Sequence, residues 1–117
     1  MLPKKLTIDL SITSQITAND IAAIKAAGFE AIICNRPDGE ALFGQPAFKD
    51  IEAAAKAAGL TVSYQPIHPG RMTESDAVVF AGSLRASPKP ILAYCRTGTR
   101  SAALWLQVQA KGPASVS

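Results

Sequence analysis

Four short β-prone runs alternate with four helix-patterned segments along the 117 residues, and no other feature constrains the fold as strongly. Residues 6–10 alternate in polarity, with Ile8 and Leu10 on one face. Residues 31–34, Ala-Ile-Ile-Cys, are apolar on both faces, as a central parallel strand requires. Residues 60–67 form the third run, with Pro66 at its end or where no ladder bond is needed, and residues 91–94 form the fourth. Between them, Thr17 and Asp20 have capping-box spacing, and Ile16 and Ile21 occupy the two positions of a hydrophobic staple. The helix they open carries Ile21, Ile24 and Ala27 on one stripe and stops at Gly28. A second helix starts near Pro46, with Phe48, Ile51, Ala55 and Ala58 on one side and Gly59 after its end. Thr73 and Asp76 repeat the capping box before a helix bearing Val79, Phe80 and Leu84, which Pro88 and Pro90 terminate. Leu104, Trp105 and Val108 mark the last helix. This β-α-β-α-β-α-β-α order predicts one α/β domain over residues 1–117, a central parallel β-sheet flanked by helices with right-handed crossovers. Ligands of such sheets sit beyond the carboxyl ends of the strands, where the loops 35–44, 68–72 and 95–100 should open.

Composition removes several classes of function. Two cysteines, Cys34 and Cys95, cannot build the disulfide framework of a small secreted domain. One histidine and no C-x-x-C pair leave too few ligands for a structural zinc, and no cofactor is implied. No apolar run reaches signal-peptide or membrane-spanning length, which predicts a cytoplasmic protein that does not engage a membrane. The net charge of +3 is too small and scattered for nucleic-acid binding. Its distribution is more informative. Residues 1–60 hold six Lys/Arg against seven Asp/Glu, whereas residues 61–117 hold six against two, and no acid follows Asp76. Arg85, Lys89, Arg96, Arg100 and Lys111 all fall in that acid-free stretch, which suits a small anionic ligand.

The chemistry-bearing segment is Tyr94-Cys95-Arg96-Thr97-Gly98-Thr99-Arg100-Ser101, joining the last strand to the last helix. Backbone N–H groups that curl around Cys95 toward a helix N-terminus, with two guanidiniums nearby, favour thiolate over thiol. Gly98 permits backbone angles that a side chain would forbid. Arg100 can present its planar fork to an oxyanion above the sulfur, and Ser101 can donate to the thiolate or cap the helix. Cys95, Arg100 and Ser101 are therefore the candidate catalytic group, with Arg96, Thr97, Gly98 and Thr99 lining the anion subsite.

The spacing C-x4-R with an internal glycine looks like the active loop of rhodanese-type sulfurtransferases. The related C-x5-R loop of cysteine-based tyrosine and dual-specificity phosphatases is one residue longer. Over roughly residues 7–108 the chain resembles the phosphatase-like domain of the beta-lactamase-hydrolase-like proteins. The resemblance rests on Ser14-Gln15-Ile16-Thr17, the stretch from Ile33 to Glu40, Gly44-Gln45-Pro46, Pro69-Gly70 and the stretch from Tyr94 to Ser101. It implies a cysteine-phosphatase-like α/β fold whose cysteine is linked to sulfur transfer. It also implies a persulfide dioxygenase as functional partner, since some relatives carry one fused to this domain.

Two physical points order the readings. A loop one residue shorter has less room for a tetrahedral phosphate and fits a terminal sulfur more closely. A phosphatase also protonates its leaving oxygen, and the loop where the resemblance puts that acid reads His68-Pro69-Gly70-Arg71-Met72, without a carboxylate. The first expectation is therefore a sulfurtransferase that moves sulfane sulfur through a Cys95 persulfide, with thiosulfate or a persulfide as donor. The alternative is a phosphatase that acts on a phosphate ester through a Cys95 phosphocysteine, with Asp38 as the best substitute acid. An inert anion-binding module is the third reading. Asp38 reads more simply as turn chemistry beside Gly39, and Glu40 as a solvated carboxylate. Arg36 is a surface guanidinium, an Asp38 partner or a substrate contact. Cys34 belongs to the core, with a resolving disulfide to Cys95 as its other role. His68 shuttles a proton or, as a lone histidine at a strand end more often does, caps a hydrogen-bond network, and Arg71 steers anions or is an ordinary surface charge.

Overall fold

The computed structural model describes residues 2–110, so Lys111, the last cation of the basic half, lies outside them. Five strands are present: β1 (Lys4–Lys5), β2 (Leu10–Thr13), β3 (Ala31–Cys34), β4 (Thr61–Tyr64) and β5 (Ile91–Tyr94). The helices are α1 (Ile21–Ala26), α2 (Phe48–Ala57), α3 (Glu74–Ala86) and α4 (Thr99–Ala110), with a 3-10 turn at Ala18–Asp20 leading into α1. The sheet order is β1-β2-β5-β3-β4. β2, β5, β3 and β4 run parallel, as the alternation predicts, and β1 adds antiparallel to the edge of β2.

That first hairpin corrects the sequence reading. The strand expected over residues 6–10 is a turn, and the true strand begins where the expected one ends. The Thr7 hydroxyl accepts the N–H groups of Asp9 and Leu10 at 3.1 and 3.0 Å, and the Leu6 and Thr7 N–H groups both bond to the Leu10 carbonyl. A threonine that engages the backbone locally competes with a strand ladder. The chain reverses there, Lys4 pairs opposite Ile12, and Ile8 is left 79 % exposed rather than sharing a buried face with Leu10. β2 escapes the period-two pattern because it is buried on both faces, Ser11 and Thr13 included.

Both capping boxes form. The Thr17 N–H donates to the Asp20 carboxylate at 2.8 Å, and Thr73 makes the same bond to Asp76, whose own N–H donates back to the Thr73 hydroxyl at 3.2 Å. Ile16 and Ile21 meet in one apolar cluster, which completes the staple. The stripe of α3 differs from the expected one: Ala77, Phe80 and Ala81 are buried while Val79 is 52 % exposed. Val79 and Phe80 are consecutive and cannot share a helix face, whereas 77, 80, 81 and 84 can. Ala27, placed on the α1 stripe by spacing, caps that helix in solvent.

The sheet buries one apolar cluster on each face. Leu10, Ile12, Ala31, Ile33, Ile91 and Ala93 pack with Phe80 of α3 and Leu104 and Val108 of α4. Ile32, Cys34, Leu92 and Tyr94 pack with Ile21 and Ile24 of α1 and Ile51 and Ala55 of α2. Trp105 is partly buried against the first cluster. With apolar packing on both sides, β3 and β5 carry no polar side chain other than the Cys34 thiol and the Tyr94 hydroxyl, and the polar residues gather beyond their carboxyl ends. There the chain buries Asn35, Arg36 and Ser101.

Candidate active site

β5 delivers Cys95 to the carboxyl edge of the sheet between the ends of β2 and β3. Its N–H donates to the Thr13 carbonyl at 3.4 Å, which prolongs the parallel ladder by one bond. The chain then turns through Gly98 at φ +93°, a left-handed conformation that L side chains rarely adopt. Space alone would admit a methyl group there, since its nearest neighbours would be the Thr13 backbone atoms at 3.6 Å. The turn aims the Gly98 N–H at the Cys95 sulfur, 3.0 Å away, one residue before α4 begins at Thr99. The unpaired N–H groups of that helix start open toward the same end of the sheet.

The loop expected from the sequence is thus assembled, but several of its side chains point elsewhere than expected. The Arg100 guanidinium lies in a two-pronged pair with Glu40, both contacts at 2.7 Å, and gives a further N–H to the Ile67 carbonyl at 2.8 Å. Two of its five N–H groups remain without a partner among the described residues. Glu40 is therefore no solvated carboxylate: it also accepts from Arg36 Nε at 3.0 Å. Arg36 is buried rather than a surface guanidinium, and its second partner is Gln15 at 3.1 Å, not Asp38. The Ser101 hydroxyl is fully buried and donates to Asn35 Oδ1 at 2.8 Å, so it is not spent on the sulfur.

Asn35 was not singled out by sequence, yet it ties the edge together. Its N–H donates to the Tyr94 carbonyl at 2.8 Å, its carbonyl accepts from Ile67 at 2.9 Å, and its amide donates to the Gln65 carbonyl at 3.1 Å. Gln15, at the end of the β2 loop, receives Arg36 through its side chain and donates its N–H to the Arg96 carbonyl at 3.2 Å. Arg96 itself is exposed, as are Thr97 and Thr99, whose hydroxyls lie 2.9 Å apart.

Asp38 turns away from the role of acid. Its carboxylate accepts the Phe48 N–H at 2.8 Å, which puts it on the N-terminus of α2, while its own N–H donates to the Tyr64 hydroxyl at 2.9 Å. The Phe48 and Tyr64 rings stack at 4.7 Å, so this corner is a helix cap and an aromatic dock. His68 is exposed rather than capping a network, and Arg71, also exposed, closes a turn through an N–H bond to the His68 carbonyl at 3.1 Å. Cys34 pairs with Tyr94 across β3 and β5, and its thiol donates to the Arg36 carbonyl at 3.3 Å. Burial pushes that thiol upward in pKa, with the Tyr94 hydroxyl opposing, and burial likewise raises the Tyr94 phenol.

Electrostatically, two sequestered guanidiniums share one carboxylate, which leaves a unit of positive charge in the Arg36–Glu40–Arg100 cluster. The Arg100 hydrogen bonds outweigh burial and, with Arg36, hold the Glu40 carboxyl below the usual glutamate range. The stabilisation this represents is complete above the unfolded glutamate value of about 4.3 and is lost as the pH falls through the lower folded value. Urea midpoints measured downward from pH 5 are expected to fall below about pH 4.3, and to fall less steeply in Glu40→Gln. Equal slopes in the two proteins would rule out this carboxylate as the source.

Residues 3–112 match the phosphatase-like domain of the beta-lactamase hydrolase-like proteins. The chain belongs to this domain family. A beta-lactamase hydrolase-like protein of Agrobacterium fabrum is 35 % identical over 97 residues, covering 83 % of this chain and 22 % of the relative. The chain thus spans about a fifth of the curated relatives it matches. A crystal structure of a candidate phosphatase from Neisseria meningitidis superposes with a TM-score of 0.85 at 38 % identity, covering 92 % of this chain and 77 % of that one. TpbA of Pseudomonas aeruginosa, solved with phosphotyrosine, shares the fold at a TM-score of 0.71 and 16 % identity, covering 97 % of this chain and 68 % of that one. The phosphatase-like domain is therefore a cysteine-phosphatase fold, and its likenesses favour the phosphatase expectation over sulfur transfer. No helix among the described residues is long and apolar enough to cross a membrane.

Proposed function

We propose that the domain hydrolyses a phosphate ester through a phosphocysteine at Cys95. One observation carries the reading: the sulfur sits at the end of β5 and accepts the Gly98 N–H at 3.0 Å, one residue before α4 begins at Thr99. The Cys95 thiolate attacks phosphorus, the S–P bond forms, and the bond to the ester oxygen breaks with its electron pair leaving on that oxygen. Water then attacks the phosphocysteine, releasing orthophosphate and restoring the thiolate. The two unpartnered Arg100 N–H groups and the backbone of Arg96 to Thr99 would hold the phosphoryl oxygens, and Arg96 would add charge from the rim. Arg36 acts through Glu40 rather than on substrate. Asp38 is held at the start of α2 and the 68–72 loop carries no carboxylate, so the leaving group must depart as a stable anion. A cytoplasmic setting fits an enzyme that needs Cys95 reduced.

Sulfur transfer rests on two observations, the loop one residue shorter than C-x5-R and the 68–72 loop without a carboxylate. Neither it nor a persulfide dioxygenase partner finds support among the relatives. Intact-protein mass under rapid quench separates the two. An aryl phosphate should add a phosphoryl group to Cys95 transiently, and thiosulfate should leave the mass unchanged. A gain of one sulfur atom from thiosulfate, absent in Cys95→Ser and without phosphoryl transfer, would reverse the assignment.

A further inference from the structure

The two edges of the sheet are built differently. β1 is two residues long and both are exposed lysines, a short charged strand of the kind that keeps an edge from pairing with another chain. β4, Thr61-Val62-Ser63-Tyr64, forms the other edge, and no charged residue occurs from Ala57 to Ile67. Parallel pairing sends alternate residues of β4 toward β3. The Thr61 N–H donates to the Glu30 carbonyl at 3.1 Å and the Gln65 N–H to the Cys34 carbonyl at 2.8 Å, so the odd-numbered residues face inward. Val62 and Tyr64 therefore turn their N–H and C=O groups outward, where no partner meets them among the described residues. The open segment is bounded on both sides. Pro66, the next outward position, has no N–H to offer, and the Leu60 N–H is taken by the Ala55 carbonyl at 2.9 Å.

We propose that β4 is a homodimerisation edge, pairing antiparallel with β4 of a second copy about a two-fold axis at Ser63. In that register Val62 faces Tyr64 of the other chain on each side of the axis, and the two residues exchange both N–H···O bonds. Every outward group of both segments is then paired. A shift of two residues in either direction sets Tyr64 against Leu60 or Val62 against Pro66, which leaves outward groups unpaired. Any extended peptide can meet the backbone, but the side chains single out a second copy. Val62 and Tyr64 lie on the face that carries α2, where Val62 packs against the apolar cluster and the Tyr64 ring stacks on Phe48 at 4.7 Å. The pairing puts each valine beside an aromatic ring of the other chain, a favourable cross-strand pair, and the small Ser63 beside its own copy. β3 separates this edge from β5 and Cys95.

Ser63 reads the register. It forms a non-hydrogen-bonded pair with its own copy, with Cα atoms about 4.5 Å apart, which suits a disulfide between cysteines. Under mild oxidation, Ser63→Cys is expected to form a covalent dimer at least about tenfold faster than Thr61→Cys, although Thr61 is the more exposed position. The native Cys34 and Cys95 are buried and serve as the background in both proteins. Sedimentation equilibrium of the unaltered chain should show the mass rising toward that of a dimer with concentration. Ser63→Lys, which sets like charges face to face, should stay monomeric with an unchanged circular dichroism spectrum. A monomer at every concentration overturns the proposal, as do equal cross-linking rates for the two cysteine variants. A dimer that survives Ser63→Lys places the contact elsewhere and overturns it as well. If Ser63→Lys does not fold, the two cross-linking rates decide alone.

Discussion

Cys95→Ser is expected to lower aryl phosphate turnover by at least about 10⁴-fold, with little change in stability. The Cys95 side chain is buried and takes one hydrogen bond, from the Gly98 N–H at 3.0 Å, which a serine oxygen can also accept. The loop therefore keeps its shape, and the anion subsite keeps Arg100 and the start of α4. What is lost is the soft, easily ionised nucleophile, since a serine hydroxyl here has no base positioned to deprotonate it. Chromogenic ester assays and calorimetry with inorganic phosphate check the two halves. Turnover within tenfold of the parent would mean that the reaction does not pass through this sulfur.

Glu40→Ala should produce the second-largest effect, and it acts on stability and activity together. The carboxylate is the shared counter-ion of Arg36 and Arg100, each largely sequestered, and its removal leaves two guanidiniums facing each other. Breaking such a pair costs about 2–3 kcal/mol where the groups retain some exposure, and here Arg100 keeps the Ile67 carbonyl and Arg36 keeps Gln15. The loss is read from the urea midpoint. Activity should fall about 100-fold, because an Arg100 fork displaced by an ångström no longer meets the phosphoryl oxygens. The decline belongs mainly in kcat if the fork matters most in the transition state. A destabilised protein with unchanged kcat/KM would restrict Glu40 to a structural role.

Much of the architecture is written locally. The capping boxes at Thr17 and Thr73, the staple of Ile16 and Ile21, the both-faces-apolar run of β3 and the glycine turn after Cys95 each follow from residues a few positions apart. The elements misread were those whose local pattern misleads. Thr7 makes a turn out of an alternating run, and β2 hides its strand behind buried Ser11 and Thr13. The site was half legible. Cys95, Gly98 and Arg100 stand out because they cluster in one segment, whereas Glu40 lies 60 residues from Arg100 and Asn35 lies 66 from Ser101. A carboxylate after an Asp-Gly turn looks solvated until the fold brings two arginines against it.

A parallel α/β sheet, a cysteine at the carboxyl end of its last strand and a glycine turn into a helix are all readable from residue order alone. Those features depend on period, capping and backbone freedom, which neighbouring residues settle. The partner each polar group takes emerges with the folded chain: Glu40 between Arg36 and Arg100, Ser101 on Asn35, Asp38 on the start of α2. Ion pairs and buried hydrogen bonds are chosen by distance in space, and the order β2-β5-β3 brings together loops that the chain holds far apart.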